Sequence, residues 1–247
     1  MLQLPTSMRT QKLFKRTFDL AFTLCASILL FPVALAAAIL VRLSSPGSVL
    51  YAAERVGRAG KRFTAYKFRT MVADADQTGP AITHRNDRRV TRIGRFLRKT
   101  KFDEFPQVLN VLRGEMSIVG PRPEDPKYVA MYTAEQRKVL RVRPGLTSLA
   151  QVLYRREEEL LPAEDTETHY IHEILPRKLT LDLYYVRDWS LWLDVKIFLL
   201  GVLSLLSIRP PACLWPVTGA RPDEYGPHSE SDPSQGRCVL RKEDVLR

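Results

Sequence analysis

Two adjacent carboxylates, Asp103 and Glu104, follow a strongly basic run, and downstream of them Arg122 stands between Pro121 and Pro123. These residue types suit phosphate chemistry. A carboxylate is already ionised at neutral pH and needs no base to act as a nucleophile. Neighbouring cations must then offset its repulsion from a phosphate. Those cations are present: between Arg55 and Lys101, fourteen Lys and Arg stand against three Asp, a net of +11 that equals the net charge of the whole 247-residue chain. Such a balance points to anionic partners, whether phosphates, anionic lipids or nucleic acid. A nucleic-acid binder, or a non-catalytic membrane-surface protein that binds anions, leaves the carboxylate pair among the cations unexplained, because it repels phosphate. On the dyad alone, however, the simpler reading is favoured: Asp103 as a helix cap and Arg122 as its surface partner.

The elements around the dyad follow from local chemistry. Pro106 suits a first helical turn, the apolar residues Val108, Leu109, Val111 and Leu112 repeat at helical spacing, and Gly114 offers a stop. Asp103 or Glu104 is therefore expected at a helix N-terminus, where free N–H groups favour anions. MSIV after Gly114 reads as a strand, and Gly120, Pro121 and Pro123 stiffen the loop that aims Arg122. Upstream, Thr91–Lys101 has a helical pattern with Arg92, Arg95 and Lys99 along one side and Arg98 leading towards Asp103. Phe63–Met71 alternates as a strand that would place Lys67 and Arg69 on one face. Val49–Ala52 would be its partner across a turn at Gly57–Arg62, whose GxxGKR spacing is not that of a nucleotide-binding P-loop.

The second strong signal is an uncharged run of 22 residues from Leu20 to Val41. At ~1.5 Å per residue a straight helix of that length just crosses a bilayer core. Pro32 lies near its middle and Lys or Arg flank both ends, which would put both ends on one side of the membrane. A helix that breaks at Pro32, dips into one leaflet and returns fits these facts; a spanning helix fits the length equally well, and a cleaved signal peptide fits poorly. Residues 74–90 read as a polar loop, Thr133–Arg141 as a short amphipathic helix, and Arg155–Glu159 as a solvated charge run. Arg177–Ile208 carries aromatic and charged residues among long apolar ones, as interfacial amphipathic helices do, and residues 209–247 read as a Pro-rich tail without fixed structure. Three cysteines without CxxC spacing give neither a disulfide framework nor a zinc site, and His169 with His172 has no third ligand.

Five segments together resemble a known family, the monotopic phosphoglycosyl transferases or bacterial sugar transferases, in their small catalytic-core form. They are KRTFD (Lys15–Asp19), ERVGRAGKRFTAYKFRTM (Glu54–Met71), the block Thr91–Pro123, VRPGLTSLAQV (Val142–Val152) and LDLYYVRDWSLWLDVKI (Leu181–Ile197). The resemblance covers residues 12–208. It implies a small α+β fold, mostly helical with short strands, with an N-terminal re-entrant membrane helix hairpin broken at Pro32. The expected division is an extension over 1–11, the membrane helix over 12–43, a catalytic domain with interfacial helices over 44–208, and the tail. It also implies transfer of a sugar 1-phosphate from a UDP-sugar to a polyprenyl phosphate, such as undecaprenyl phosphate, with release of UMP at the cytoplasmic face of the inner membrane, starting a surface glycan or exopolysaccharide. Asp103 would be the nucleophile, Glu104 its partner, and both would serve Mg²⁺. Lys67, Arg98 and Arg122 match positions near the phosphates, and Arg69, Arg95, Gln107, Pro121 and Pro123 complete the expected substrate-binding set. Expected partners are the two substrates, phospholipid, and a second copy or other glycan-assembly enzymes, with no nucleic acid. Departures from the family pattern are Phe31 where Ser often precedes Pro32, Ser148 where Gly is frequent, and Leu153, Tyr154 and Arg155 in place of an Asn-Gly-Arg run. The last two bear on the donor-sugar pocket.

Overall fold

The computed structural model describes residues 6–75, 82–83, 87–162, 164–208 and 210–216. Most of the expected tail and the middle of the polar loop, including His84, lie outside these residues.

The chain opens with α1, Thr6–Ser44, and continues through a hairpin of β1, Leu50–Val56, and β2, Arg62–Phe68, paired antiparallel from Leu50↔Phe68 to Val56↔Arg62. Helix α2, Arg92–Thr100, follows; Thr91 caps it by accepting from the Gly94 N–H. A 3₁₀ turn over Phe102–Gln107 then carries both carboxylates and leads into α3, Val108–Arg113, which ends at Gly114 in the left-handed conformation. Strand β3, Ser117–Val119, pairs in parallel with β4, Gly145–Thr147. Between them lie α4, Pro126–Ala130, and a 3₁₀ segment, Gln136–Arg141. That segment stands where the sequence suggested an amphipathic helix from Thr133. Four helices follow: α5 Leu149–Leu153, α6 Glu157–Leu160, α7 Thr166–His169, and α8 Leu175–Arg187, with a π-helical turn between the last two. The last long helix is α9, Leu191–Leu205. The fold is thus the mostly helical α+β arrangement expected.

Helix α1 differs from the expected hairpin in one respect: it is helical from end to end, with Pro32 inside it. One missing N–H does not by itself end an apolar helix of this length. Its segment Thr10–Ser44 is long and apolar enough to cross a membrane. Both flanks of that segment nevertheless dock on the same body. On the N-terminal flank Asp19 is buried and accepts from Ser117 Oγ (2.6 Å), while Lys15 Nζ donates to Asp194 Oδ2 (2.7 Å) and to the Val119 carbonyl (3.1 Å). On the other flank Ala37 and Val41 pack with Phe68 and Leu97. Between these anchors Leu24, Ile28, Leu29, Phe31 and Leu35 are exposed.

The main core gathers around β3 and α5, with Ile118, Val119, Leu149, Leu153, Leu179, Tyr185 and Ile197 among its buried members. The smaller core of α1, β2 and α2 sits beneath the dyad, where Phe68, Phe102 and Phe105 stack at centroid distances of 6.2 and 5.0 Å. The interior therefore fixes the 3₁₀ turn from below. Gly94 is required where α2 meets the chain just after β2, since a Cβ there would fall 1.9 Å from the Thr70 carbonyl oxygen.

Candidate active site

Lys101 joins α2 to the 3₁₀ turn with φ 57°, ψ 13°. A left-handed lysine costs of order 1 kcal/mol. It reverses the chain so that Asp103 and Glu104 enter a buried position directly after a basic helix. Both are nearly inaccessible, at 8% and 5% exposure.

Glu104 is the hub. Its Oε1 accepts from Lys67 Nζ and from Arg122 Nη2, each at 2.9 Å, and its Oε2 accepts from Gln151 Nε2 at 3.0 Å. Burial alone would raise its pKa, but Arg122 and Lys67 overcome burial and hold the carboxyl well below its ordinary range. Burial pulls the Lys67 amine down, with Glu104 opposing. Asp103 is the reverse case. Burial pushes its pKa up and the Glu104 charge adds to that, against Lys67, Lys101 and Arg98. Its Oδ1 is buried without a hydrogen-bond partner among the described residues. Two neighbouring carboxylates thus have separate characters: one clamped, with its pKa held down, the other without a hydrogen-bond partner on Oδ1 and more basic. The cap reading does not survive, because Arg122 pairs with Glu104 rather than with Asp103, and no side chain caps the 3₁₀ turn.

The remaining predicted residues divide. Arg98 Nε donates to Thr70 Oγ1 (2.9 Å) and its Nη1 to Glu158 Oε1 (3.1 Å), which places it beside the dyad and makes Glu158 a partner instead of part of a solvated run. Arg69 turns away from Lys67 and donates to the Ser45 carbonyl (2.7 Å), holding the turn after α1. Arg95 is exposed on α2, and Gln107 and Pro121 are buried. Pro123 is half-buried beside Arg122.

Sequence reasoning missed the support behind Arg122. The Arg122 N–H donates to Asp182 Oδ2 at 3.1 Å, and Asp182 lies on α8 with 4% exposure, although its segment reads as interfacial. Lys178, one turn earlier, lies 3.3 Å from Glu124 Oε1, 3.1 Å from Glu157 Oε2 and 3.1 Å from the Tyr170 hydroxyl. Burial opposes its charge, yet Glu157 and Glu124 hold its pKa well above the ordinary value. The i, i+4 spacing of Lys178 and Asp182 on one helix face was the available signal. Gln151 carries a weaker one, its place three residues after the N-cap Ser148.

Burial raises Asp182 to about 8, with Lys178 and the Arg122 N–H opposing. A carboxyl raised from 3.8 to about 8 binds more protons folded than unfolded, so its contribution to stability is lost as pH rises across that window. Asp182→Asn keeps an acceptor for the Arg122 N–H and removes the titration. The variant is expected to match the parent's thermal midpoint near pH 3, below the ordinary value of 3.8, and to exceed it by a margin that grows up to pH 9. Equal midpoints at both pH values would show that Asp182 is not the titrating group.

The bacterial sugar transferase family model matches residues 10–207. A Caulobacter vibrioides protein named UDP-glucose:undecaprenyl-phosphate glucose-1-phosphate transferase is 41% identical over 196 residues, covering 78% of this chain and 70% of its own length. An Aeromonas hydrophila protein named UDP-N-acetylgalactosamine-undecaprenyl-phosphate N-acetylgalactosaminephosphotransferase is 37% identical over 198 residues, covering 78% of this chain and 44% of its own. A Komagataeibacter xylinus protein named undecaprenyl-phosphate glucose phosphotransferase is 41% identical over 195 residues, covering 76% of this chain and 35% of its own length. The chain therefore spans less than half the length of the Aeromonas and Komagataeibacter relatives.

Proposed function

Since the chain belongs to the bacterial sugar transferase family, we propose that it transfers a sugar 1-phosphate from a UDP-sugar to a polyprenyl phosphate such as undecaprenyl phosphate, through a covalent intermediate on Asp103. The observation that carries this reading is the unpartnered, buried Oδ1 of Asp103 beside a Glu104 already engaged by Lys67, Arg122 and Gln151.

Asp103 attacks the phosphorus that bears the sugar. The bond from that phosphorus to the bridging oxygen breaks, UMP departs with the electron pair, and the sugar phosphate remains on Asp103 as a mixed anhydride. An oxygen of the polyprenyl phosphate then attacks the same phosphorus, and the Asp103 carboxylate is regenerated. Lys67 and Arg122, fixed by Glu104, lower the negative potential that an incoming diphosphate meets. Arg98 adds a third cation, and the stiff Pro121–Pro123 loop holds Arg122 in place. Arg95, exposed on α2, belongs to the wider substrate surface in this reading.

Among the described residues no group of three His, Cys, Asp or Glu forms a metal cage. The residues fit Mg²⁺ in the other common manner, in which one or two carboxylates and the substrate's phosphates hold the ion. Asp103 Oδ1 and Gln151 Oε1 are buried acceptors without donors, whereas both oxygens of Glu104 are occupied. Asp103 would thus hold the ion, with Glu104 orienting the cations around it. Bound there, Mg²⁺ would neutralise diphosphate charge.

The contacts of α1 support a membrane arrangement. A helix that crossed the bilayer would bring only one flank to a domain on one face, yet both flanks dock on one body. We infer a re-entrant seat with the catalytic domain on the cytoplasmic side. Single cysteines at Gln11 and Ser48, in a cysteine-free background, are expected to resist an impermeant maleimide in intact cells and to react after lysis. Labelling of only one of them in intact cells would show that α1 spans.

The direct test is UMP release by the detergent-solubilised chain with undecaprenyl phosphate, Mg²⁺ and a panel of UDP-hexoses and UDP-N-acetylated amino sugars. At least one donor should support release that stops on adding a chelator. No release with any donor would remove the proposal. The reaction class makes this a first membrane-committed step of glycan or exopolysaccharide assembly.

A further inference from the structure

A second basic site lies at the other end of α3 from the dyad. The tip of the β1–β2 hairpin, the end of α3 and the loop before β4 enclose a cleft of about 490 Å³. Arg58, Lys61, Arg62, Arg113 and Arg143 line it, against one carboxylate, Glu115, whose Oε2 is already engaged by Asn110 Nδ2 at 2.7 Å. Arg16 of α1 reaches its rim: a Cβ on Gly114 would lie 3.3 Å from Arg16 Nη2, and that nitrogen donates to the Leu112 carbonyl at 3.4 Å. The other terminal nitrogen, Nη1, is buried without a hydrogen-bond partner among the described residues.

Five cations gathered around a cleft repel one another unless an anion joins them. Among the described residues Arg16, Arg58, Lys61, Arg113 and Arg143 make no ion pair with a carboxylate. Burial, with Arg16 and Arg58 nearby, lowers the Arg143 guanidinium from its usual value, a cost that a bound anion would relieve. The site is not an extension of the dyad, since none of these cations touches Asp103 or Glu104 and the six residues of α3, on the order of 9 Å of helix, stand between.

The level of the cleft identifies its ligand. Arg16 lies four residues before the uncharged run begins at Leu20, about 6 Å along the helix axis. On the same flank Leu13 and Phe14 are 69% and 61% exposed, a surface suited to acyl chains. A cleft of this size exceeds what one free phosphate fills. We propose that it binds the phosphate of an anionic phospholipid headgroup, with Arg16, Arg58, Lys61, Arg113 and Arg143 as its cations. Headgroup binding here would fix the hairpin and α3 against the bilayer, and so set the height of the dyad above it. The proposal takes the membrane seat of α1 from the reading above and does not depend on the transfer reaction.

The test uses the full chain in detergent, titrated with dihexanoyl phosphatidylglycerol, dihexanoyl phosphatidylcholine or inorganic phosphate, with binding read by calorimetry. Phosphatidylglycerol should bind saturably, and the paired change Arg58→Ala with Lys61→Ala on the exposed turn should weaken it by roughly 30-fold, from the usual contribution of each basic residue to anionic-lipid binding. A charge-matched control, Arg92→Ala with Lys99→Ala on α2, should bind like the parent. Equal binding of phosphatidylcholine, or equal binding of inorganic phosphate, would overturn the headgroup assignment. Undiminished phosphatidylglycerol binding by the hairpin pair would overturn its location. Parent-like UMP release by the hairpin pair would show that weakened lipid binding came from the cleft rather than from misfolding; loss of both with a lowered thermal midpoint would make the cleft structural and overturn the proposal.

Discussion

Asp103→Asn is expected to lower UMP release by at least about 10³-fold while leaving the fold intact. The amide has the carboxylate's shape but not its nucleophilic charge, and an oxygen of Asp103 stands buried and unpartnered beside the engaged Glu104. Stability should move the other way from activity. Burial and the Glu104 charge raise the Asp103 pKa, so its contribution to stability is present below the ordinary value of 3.8 and is lost as pH rises through the folded pKa. A neutral amide removes that loss, and the variant's thermal midpoint at pH 8 should equal or exceed the parent's. The same shift places the acid limb of the parent's rate profile above an ordinary aspartate pKa, because attack needs the ionised form. Omitting the lipid acceptor should leave the parent carrying the mass of a sugar phosphate, seen by intact-protein mass spectrometry, and the variant carrying none. A variant with parental turnover would move the nucleophile elsewhere.

What the sequence made legible was local. The hairpin, the capped basic helix before the dyad, the Gly114 stop and the short strand after it all follow from side-chain spacing and turn residues over ten residues or fewer. The dyad was visible as a pair, but its division of labour was not, because that depends on groups brought from afar. Lys67 is 37 residues from Glu104 and Gln151 is 47. Asp182 is 60 residues from the backbone group it accepts from, and the aromatic and charged residues around it in the sequence do not show that it is buried. Lys15 and Asp19 read as a polar flank of an apolar run; the fold uses the buried Asp19 and the half-buried Lys15 as anchors between α1, β3 and α9. Pro32 lies inside α1, whose helix continues on both sides of it.

Glu104→Gln is expected to lower kcat about 10²-fold with a smaller change in KM for the UDP-sugar. The glutamine keeps the shape of the hub but has one acceptor oxygen where three donors converge, and its amide N–H₂ must face either the Lys67 and Arg122 pair or the Gln151 amide. Whichever way it turns, donors oppose donors. Removing one member of a buried charge cluster costs about 3–5 kcal/mol. The loss here should fall at or below the lower end, because the Arg122 and Lys67 side chains keep 25% and 22% exposure to water. Both cations remain near the site and still attract a diphosphate, which is why binding suffers less than turnover. Lys67 supplies a distinguishing signature. Burial lowers its pKa and Glu104 is the largest influence holding it up, so without that charge the amine loses its proton at lower pH. Residual activity should therefore fall earlier on the alkaline side than the parent's does, and Glu104→Asp should restore part of it. A merely structural Glu104 would lower the thermal midpoint without moving the alkaline limb, and that outcome would reduce the hub to a packing element.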